Sequence, residues 1–248
     1  MTSLHSSPST PEIGRIESSP PFVPALIIVD LQEDFCPPNG SLIVPNARDI
    51  IPKINQLLDY PFIVKVATKD SHPKTHISFA SNHVGKSAFS DSFTQSDPMN
   101  PNEKYSIRLW PDHCVKGTPG ADLVHELATA KIDILIEKGT DEASEMYSGF
   151  YDMWGRGSDL LGVLKAKNVT HVWVTGLALE YCVKETAIHA AREGFETVVV
   201  REATKAIDDT HWAKVTDELA QSGVRVVSDV DEKSSTFDMS WGTPKSFG

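Results

Sequence analysis

Short apolar runs rich in β-branched residues recur along this chain, and segments of helical periodicity alternate with them. The runs are "ALIIVD" (25–30), "FIVKVAT" (62–68), "DILIEK" (133–138), "HVWVTG" (171–176), "ETVVVRE" (196–202) and "VRVVS" (224–228). Helical patterns fall at 46–59, where Ile50, Ile51, Ile54, Leu57 and Leu58 share a face, and at 120–130, 158–167, 181–193 and 209–222. Near-continuous apolar strands alternating with amphipathic helices predict a parallel sheet covered on both faces, an α/β fold. Such a fold needs one sizeable core, which 248 residues at 40% hydrophobic content supply without a second domain.

Residues 1–23 are rich in Ser, Thr and Pro and lack apolar periodicity, so they read as a flexible tail ahead of a single domain over 24–248. Glu12 and Glu17 against Arg15 make the tail a poor mitochondrial presequence, and it has no apolar signal core. The segment 69–119 breaks the alternation, and long irregular insertions in compact domains are usually functional. Acidic residues outnumber basic ones 34 to 23, a net charge of -11 that disfavours nucleic acid and anionic membranes as partners. No window approaches the ~18 continuous apolar residues of a membrane span. Cys36, Cys114 and Cys182 are too few for a disulfide framework and suit a reducing compartment. The expectation is a cytoplasmic protein, with nucleus or peroxisome as alternatives, and a homo-oligomer is compatible with it.

In open parallel sheets, ligands bind outside the carboxyl ends of the strands. Asp30 closes the first run, Asp70 and His72 follow the second, Lys138 closes the third, and Cys182 follows the fourth. Cys182 reads either as a buried packing thiol or as a nucleophile whose thiolate a helix start would favour. In the second reading, the N–H groups of Ala178 and Cys182 form an oxyanion hole. Asp30 reads as a turn cap or as a general acid–base, and Asp34 is a rival carboxylate. Lys138 reads as a snorkelling side chain or as a cation that holds its neighbours ionised. In "KDSHPKTHISFASNH" and "LWPDHC", Asp-x-His is a common metal bite that a distant His can complete. His72, His76, His83 and His113 are the candidates. Cys114, beside His113, reads as a small buried hydrophobe.

These stretches, with "IEKGTD", "YSGF" and "VTGLALEYCVKETAIHAA", resemble the nicotinamidases of the isochorismatase-like cysteine hydrolases over roughly residues 24–205, with a flavour closest to the fungal enzymes. The resemblance implies a three-layer α/β/α sandwich with a six-stranded parallel sheet of order 3-2-1-4-5-6. It implies hydrolysis of nicotinamide to nicotinate and ammonia through a cysteine thioester, in NAD salvage. Asp30, Lys138 and Cys182 match the family's catalytic triad. Asp70, His72 and His113 match its ligands for one divalent metal, usually zinc. Phe35, Trp110, Tyr147 and Tyr181 match its pocket lining, and Leu177–Ala178 its cis peptide. Ser71 departs from the usual Trp between the two ligands. Alternatives are another superfamily amidase, on a carbamoyl or pyrazinamide-like substrate, or a catalytically inactive nicotinamide-binding protein.

Overall fold

The computed structural model describes residues 21–97 and 99–228. Most of the Ser/Thr/Pro-rich tail therefore lies outside the described residues. Strands β1 (Pro24–Val29), β2 (Val64–Asp70), β5 (Ile134–Lys138), β6 (His171–Gly176), β7 (Glu196–Thr204) and β8 (Arg225–Val227) form one sheet in the order β5-β2-β1-β6-β7-β8. Every pairing in it is parallel. Numbered among themselves, these strands run 3-2-1-4-5-6, as the resemblance implies.

Side chains of β1 alternate between the two faces, as a pleated strand requires. Ala25, Ile27 and Val29 pack with Leu160, Leu164, Ala187, Val215 and Leu219. Those partners sit on or beside α2 (Leu160–Ala166), α3 (Lys184–Arg192) and α4 (Trp212–Gln221). Leu26 and Ile28 pack on the opposite face with Ile51, Ile54 and Leu57 of α1 (Ile51–Leu57). Both faces of the sheet are thus apolar, and every residue of β1 after Pro24 is buried.

Two expectations fail in instructive ways. Residues 120–130 form no α-helix, only short 3-10 turns at Pro119–Ala121 and Thr129–Lys131. Ala121, Val124 and Leu127 are buried at helix-like spacing. However, Val124 donates its N–H to Leu31 O at 3.0 Å, and Asp122 O accepts from Glu33 N at 3.0 Å. The segment is strapped to the chain leaving β1, and its backbone groups are spent there. Within the 69–119 insertion, β3 (Ser92–Ser96) and β4 (Lys104–Arg108) pair antiparallel. Of these residues only Ile107 is buried, so no apolar run marks the hairpin.

Candidate active site

β1 stands between β2 and β6, the point where strand order reverses and a crevice opens at the carboxyl edge. Asp70 pairs in register with Lys138, and Val29 with Gly176. Gly176 has φ 110, and a Cβ there would collide with Val29 O, so only glycine lets the chain leave β6 this close to β1. The Leu177–Ala178 peptide is cis, and a π-helical turn, Leu179–Val183, carries Cys182 into α3. Asp30 leaves β1 at φ 47, a left-handed conformation uncommon for a non-glycine residue and found often at functional sites.

These turns bring Asp30, Lys138 and Cys182 together. Asp30 Oδ1 accepts from Thr68 Oγ1 at 2.6 Å. Its Oδ2 lies 2.9 Å from Lys138 Nζ, yet takes no well-aligned hydrogen bond. Lys138 donates to Asp70 Oδ1 at 2.6 Å and Met146 O at 3.0 Å, and reaches Cys182 Sγ at 3.5 Å. Burial pushes the Asp30 carboxyl up to about 6, against the pull of Lys138. Burial opposes the Lys138 charge too, but Asp30 and Asp70 outweigh it and hold the ammonium protonated. Burial, aided by Asp30 and Asp70, raises the Cys182 thiol well above its ordinary value despite Lys138. Burial thus opposes the thiolate that a helix start alone would favour. At neutral pH the resting site holds a thiol, a carboxylate and an ammonium. Asp34, the rival carboxylate, faces elsewhere: its Oδ2 accepts the Cys114 N–H at 2.7 Å.

Asp70, His72 and His113 each offer a ligand atom, all within 4.8 Å of one another. His72 Nδ1 donates to Gly139 O at 2.9 Å and His113 Nδ1 to Pro111 O at 2.7 Å, which leaves both Nε2 atoms as donors toward a cation. Burial and the neighbouring His72 lower His113 to about 4, so it is neutral at pH 7. Burial opposes the charge on His72, but Asp70 outweighs it and raises that imidazole, so a cation would displace a proton there. A carboxylate and two imidazoles with backbone partners are a fitting donor set for a divalent metal. Asp30, Asp70 and Cys182 also cluster, but the Lys138 ammonium touches all three and repels a cation. Two of the four candidate histidines do not join the group. His76 is buried between Ser78 Oγ (2.8 Å) and Ser144 O (3.2 Å) and stacks on His72 at 4.1 Å. His83 bonds Ile77 O at 2.7 Å and packs on Phe93. Ser71 is buried with its N–H on Lys138 O, and it bonds Glu137 rather than lining the pocket.

Gly139 has φ 63, and a Cβ there would collide with the His72 ring. Gly139→Ala should displace that imidazole and weaken metal retention by about 10- to 100-fold, the usual loss on disturbing a ligand's supporting partner. Competition with a chromophoric chelator measures it, and unaltered affinity would contradict this account of the ligand's seat.

A narrow pocket joins the two groups, with Asp70, His72, His113, Ala178 and Cys182 in its wall. Phe35, Trp110, Tyr147 and Tyr181 also line it. Leu42, Val44, Glu145 and Ile207 line it unforeseen, because they lie in loops without periodicity. No hydrogen bond from the Ala178 N–H is formed among the described residues.

Fold and site together define the class, a Rossmann-like α/β cysteine hydrolase. Residues 24–231 match the isochorismatase domain, and the chain belongs to the isochorismatase family. It is 37% identical over 212 residues to the nicotinamidase of Schizosaccharomyces pombe, covering 85% of this chain and 95% of that one. The crystal structure of the yeast nicotinamidase bound to the inhibitor nicotinaldehyde superposes with a TM-score of 0.79 at 36% identity, over 83% of this chain and all (100%) of that one. The pyrazinamidase of Pyrococcus horikoshii in complex with zinc superposes at 0.66 and 34% identity, over 84% of this chain and 99% of that one.

Proposed function

We propose that this protein is an amidohydrolase that converts nicotinamide to nicotinate and ammonia, the entry step of NAD salvage, within one domain beginning at Pro24. The observation that carries the reading is one pocket holding Cys182, with Lys138 Nζ 3.5 Å from its Sγ, beside the donor set Asp70, His72 and His113. Cys182 attacks the carboxamide carbon while Asp30 takes the thiol proton, for which its poorly bonded Oδ2 is suited. The N–H groups of Ala178 and Cys182 stabilise the oxyanion. As the C–N bond breaks, Asp30 returns the proton to the nitrogen and ammonia leaves a thioester on Cys182. Water, activated by Asp30, then hydrolyses that thioester to nicotinate and free thiol. Lys138 holds the charge on Asp30 and steadies the sulfur throughout.

Asp70, His72 and His113 would hold a divalent metal, in our reading zinc, which when bound would supply a Lewis acid to attract an aromatic ring nitrogen. Phe35, Trp110, Tyr147 and Tyr181 hold the flat ring and exclude water. No helix among the described residues is long and apolar enough to cross a membrane, and all three cysteines are free, which fits a cytoplasmic enzyme.

Ammonia release from nicotinamide by the purified, metal-loaded protein tests the reading. Pyrazinamide keeps a ring nitrogen at the corresponding position and should be accepted. Benzamide, of the same shape without it, should be poorer by on the order of 100-fold, the scale of a misoriented substrate. Equal turnover of benzamide and nicotinamide would make the protein a broader amidase, and no turnover of any would make it a binding protein.

A further inference from the structure

The aromatic walls of the pocket come from separate parts of the chain. Trp110 follows the hairpin, Tyr147 lies in the loop after β5, and Tyr181 sits in the turn that carries Cys182. Trp110 Nε1 donates to the Tyr147 hydroxyl at 3.2 Å, and the Trp110 and Tyr181 rings meet edge to face at 5.0 Å. Outside the pocket, the last residue of β4 joins two of these walls. The Arg108 guanidinium lies 5.0 Å over the Trp110 ring. Its Nη1 donates to Tyr181 Oη at 3.0 Å and its Nε to Phe89 O at 3.1 Å. Arg108 is exposed, and among the described residues no carboxylate pairs with it. Its polar contacts go to the pocket wall and to the loop that packs Phe89 against Trp110 at 6.0 Å.

We propose that Arg108 is a positioning residue that sets the width of the ring slot, and with it the selectivity for an unsubstituted six-membered ring. The proposal rests on the reading of the pocket as a nicotinamide site and deepens it. One planar group donates along two edges and presents its face to an indole, so the spacing of Trp110 and Tyr181 follows from its rigid fork. A lysine carries the same charge but lacks the planar fork, and cannot make these three contacts together. Arg108 touches no reacting atom. It clamps the ring alike in ground and transition states, and losing uniform binding raises KM without lowering kcat.

Kinetics of the metal-loaded wild type, Arg108→Ala and Arg108→Lys, on nicotinamide and on a ring-methylated nicotinamide, test this. Arg108→Ala should raise KM for nicotinamide about tenfold, with kcat within about twofold of wild type, as expected for loss of a cation–π contact and a charged hydrogen bond. The same variant should narrow the preference for nicotinamide over the methylated ring, and Arg108→Lys should rescue neither change. Unchanged KM and unchanged preference in Arg108→Ala would overturn the proposal. So would full rescue by Arg108→Lys, which would make the effect one of charge at the pocket mouth. A lowered melting temperature with kcat and KM both degraded would make Arg108 a support of the fold and would also overturn it. If the wild type turns over no nicotinamide, the functional reading fails and carries the proposal down. If the wild type is active and Arg108→Ala matches it, the proposal alone fails.

Discussion

Cys182→Ala should abolish turnover, with a loss on the order of 10⁶-fold in kcat, because no other group can form the thioester. Cys36 is 1% exposed, and burial pushes its thiol up to about 12. Cys114 is fully buried, and its N–H is tied to Asp34. Neither lines the pocket. The fold should survive, since the change removes one small group from the core at about 1 kcal/mol, the scale of a buried CH₂. Bound metal should also remain, as Cys182 is not among the Asp70, His72 and His113 donors. The measurement is ammonia release beside metal content and a melting curve, and activity above a few per cent of wild type would remove Cys182 from the role. Brief iodoacetamide labelling should mark Cys182 before the other two thiols. Access through the pocket decides the order, since burial disfavours the thiolate at all three.

Asp30→Asn should cost on the order of 10⁴-fold in kcat, the upper end of what a positioned general acid–base contributes. The amide nearly matches the carboxylate in shape but can neither accept the thiol proton nor return it to nitrogen. Because the resting thiol is neutral, every turnover needs this transfer. The two losses should therefore not multiply: Asp30→Asn with Cys182→Ala should be scarcely worse than Cys182→Ala alone, and independent losses would show that the residues share no step. The same logic fixes the acid limb of the wild type. A base held at about 6 by burial is ionised above that pH and protonated below it, so kcat/KM should fall as pH drops through about 6 rather than through the ordinary aspartate range near 4. A flat profile down to pH 5 would exclude Asp30 as the base.

The sheet and the edge that carries the site were both legible in the chain. An apolar run of five or six mostly β-branched residues bounded by turn signals reads as a buried strand, and the polar residue that ends it emerges at a strand terminus. That rule put Asp30, Asp70 and Lys138 at one edge of the sheet before any contact was known. The strand of residues 171–176 was readable to its last residue, Gly176. Phe35, Trp110, Tyr147 and Tyr181 were legible only through the family resemblance, since nothing local marks a loop aromatic as pocket lining.

Tertiary structure decided the rest, wherever a group's partner is distant along the chain. Residues 120–130 have a helix-like spacing of apolar side chains, but their backbone bonds go to Leu31 and Glu33, so the helix yields to a strap. Of four histidines in one polar insertion, only His72 and His113 meet Asp70, and the ring-nitrogen partners that aim them, Gly139 O and Pro111 O, are invisible in the spacing. The protonation of Cys182 depends most on three dimensions. A helix start, read locally, argues for thiolate. In the fold, burial and carboxylates from the ends of β1 and β2 outweigh the ammonium of Lys138 from β5, and the sulfur keeps its proton. Periodicity along the chain determines which residues reach the carboxyl edge, because it follows from local backbone geometry. Charge state and ligand choice are sums over neighbours from different strands, and only the assembled sheet supplies those neighbours.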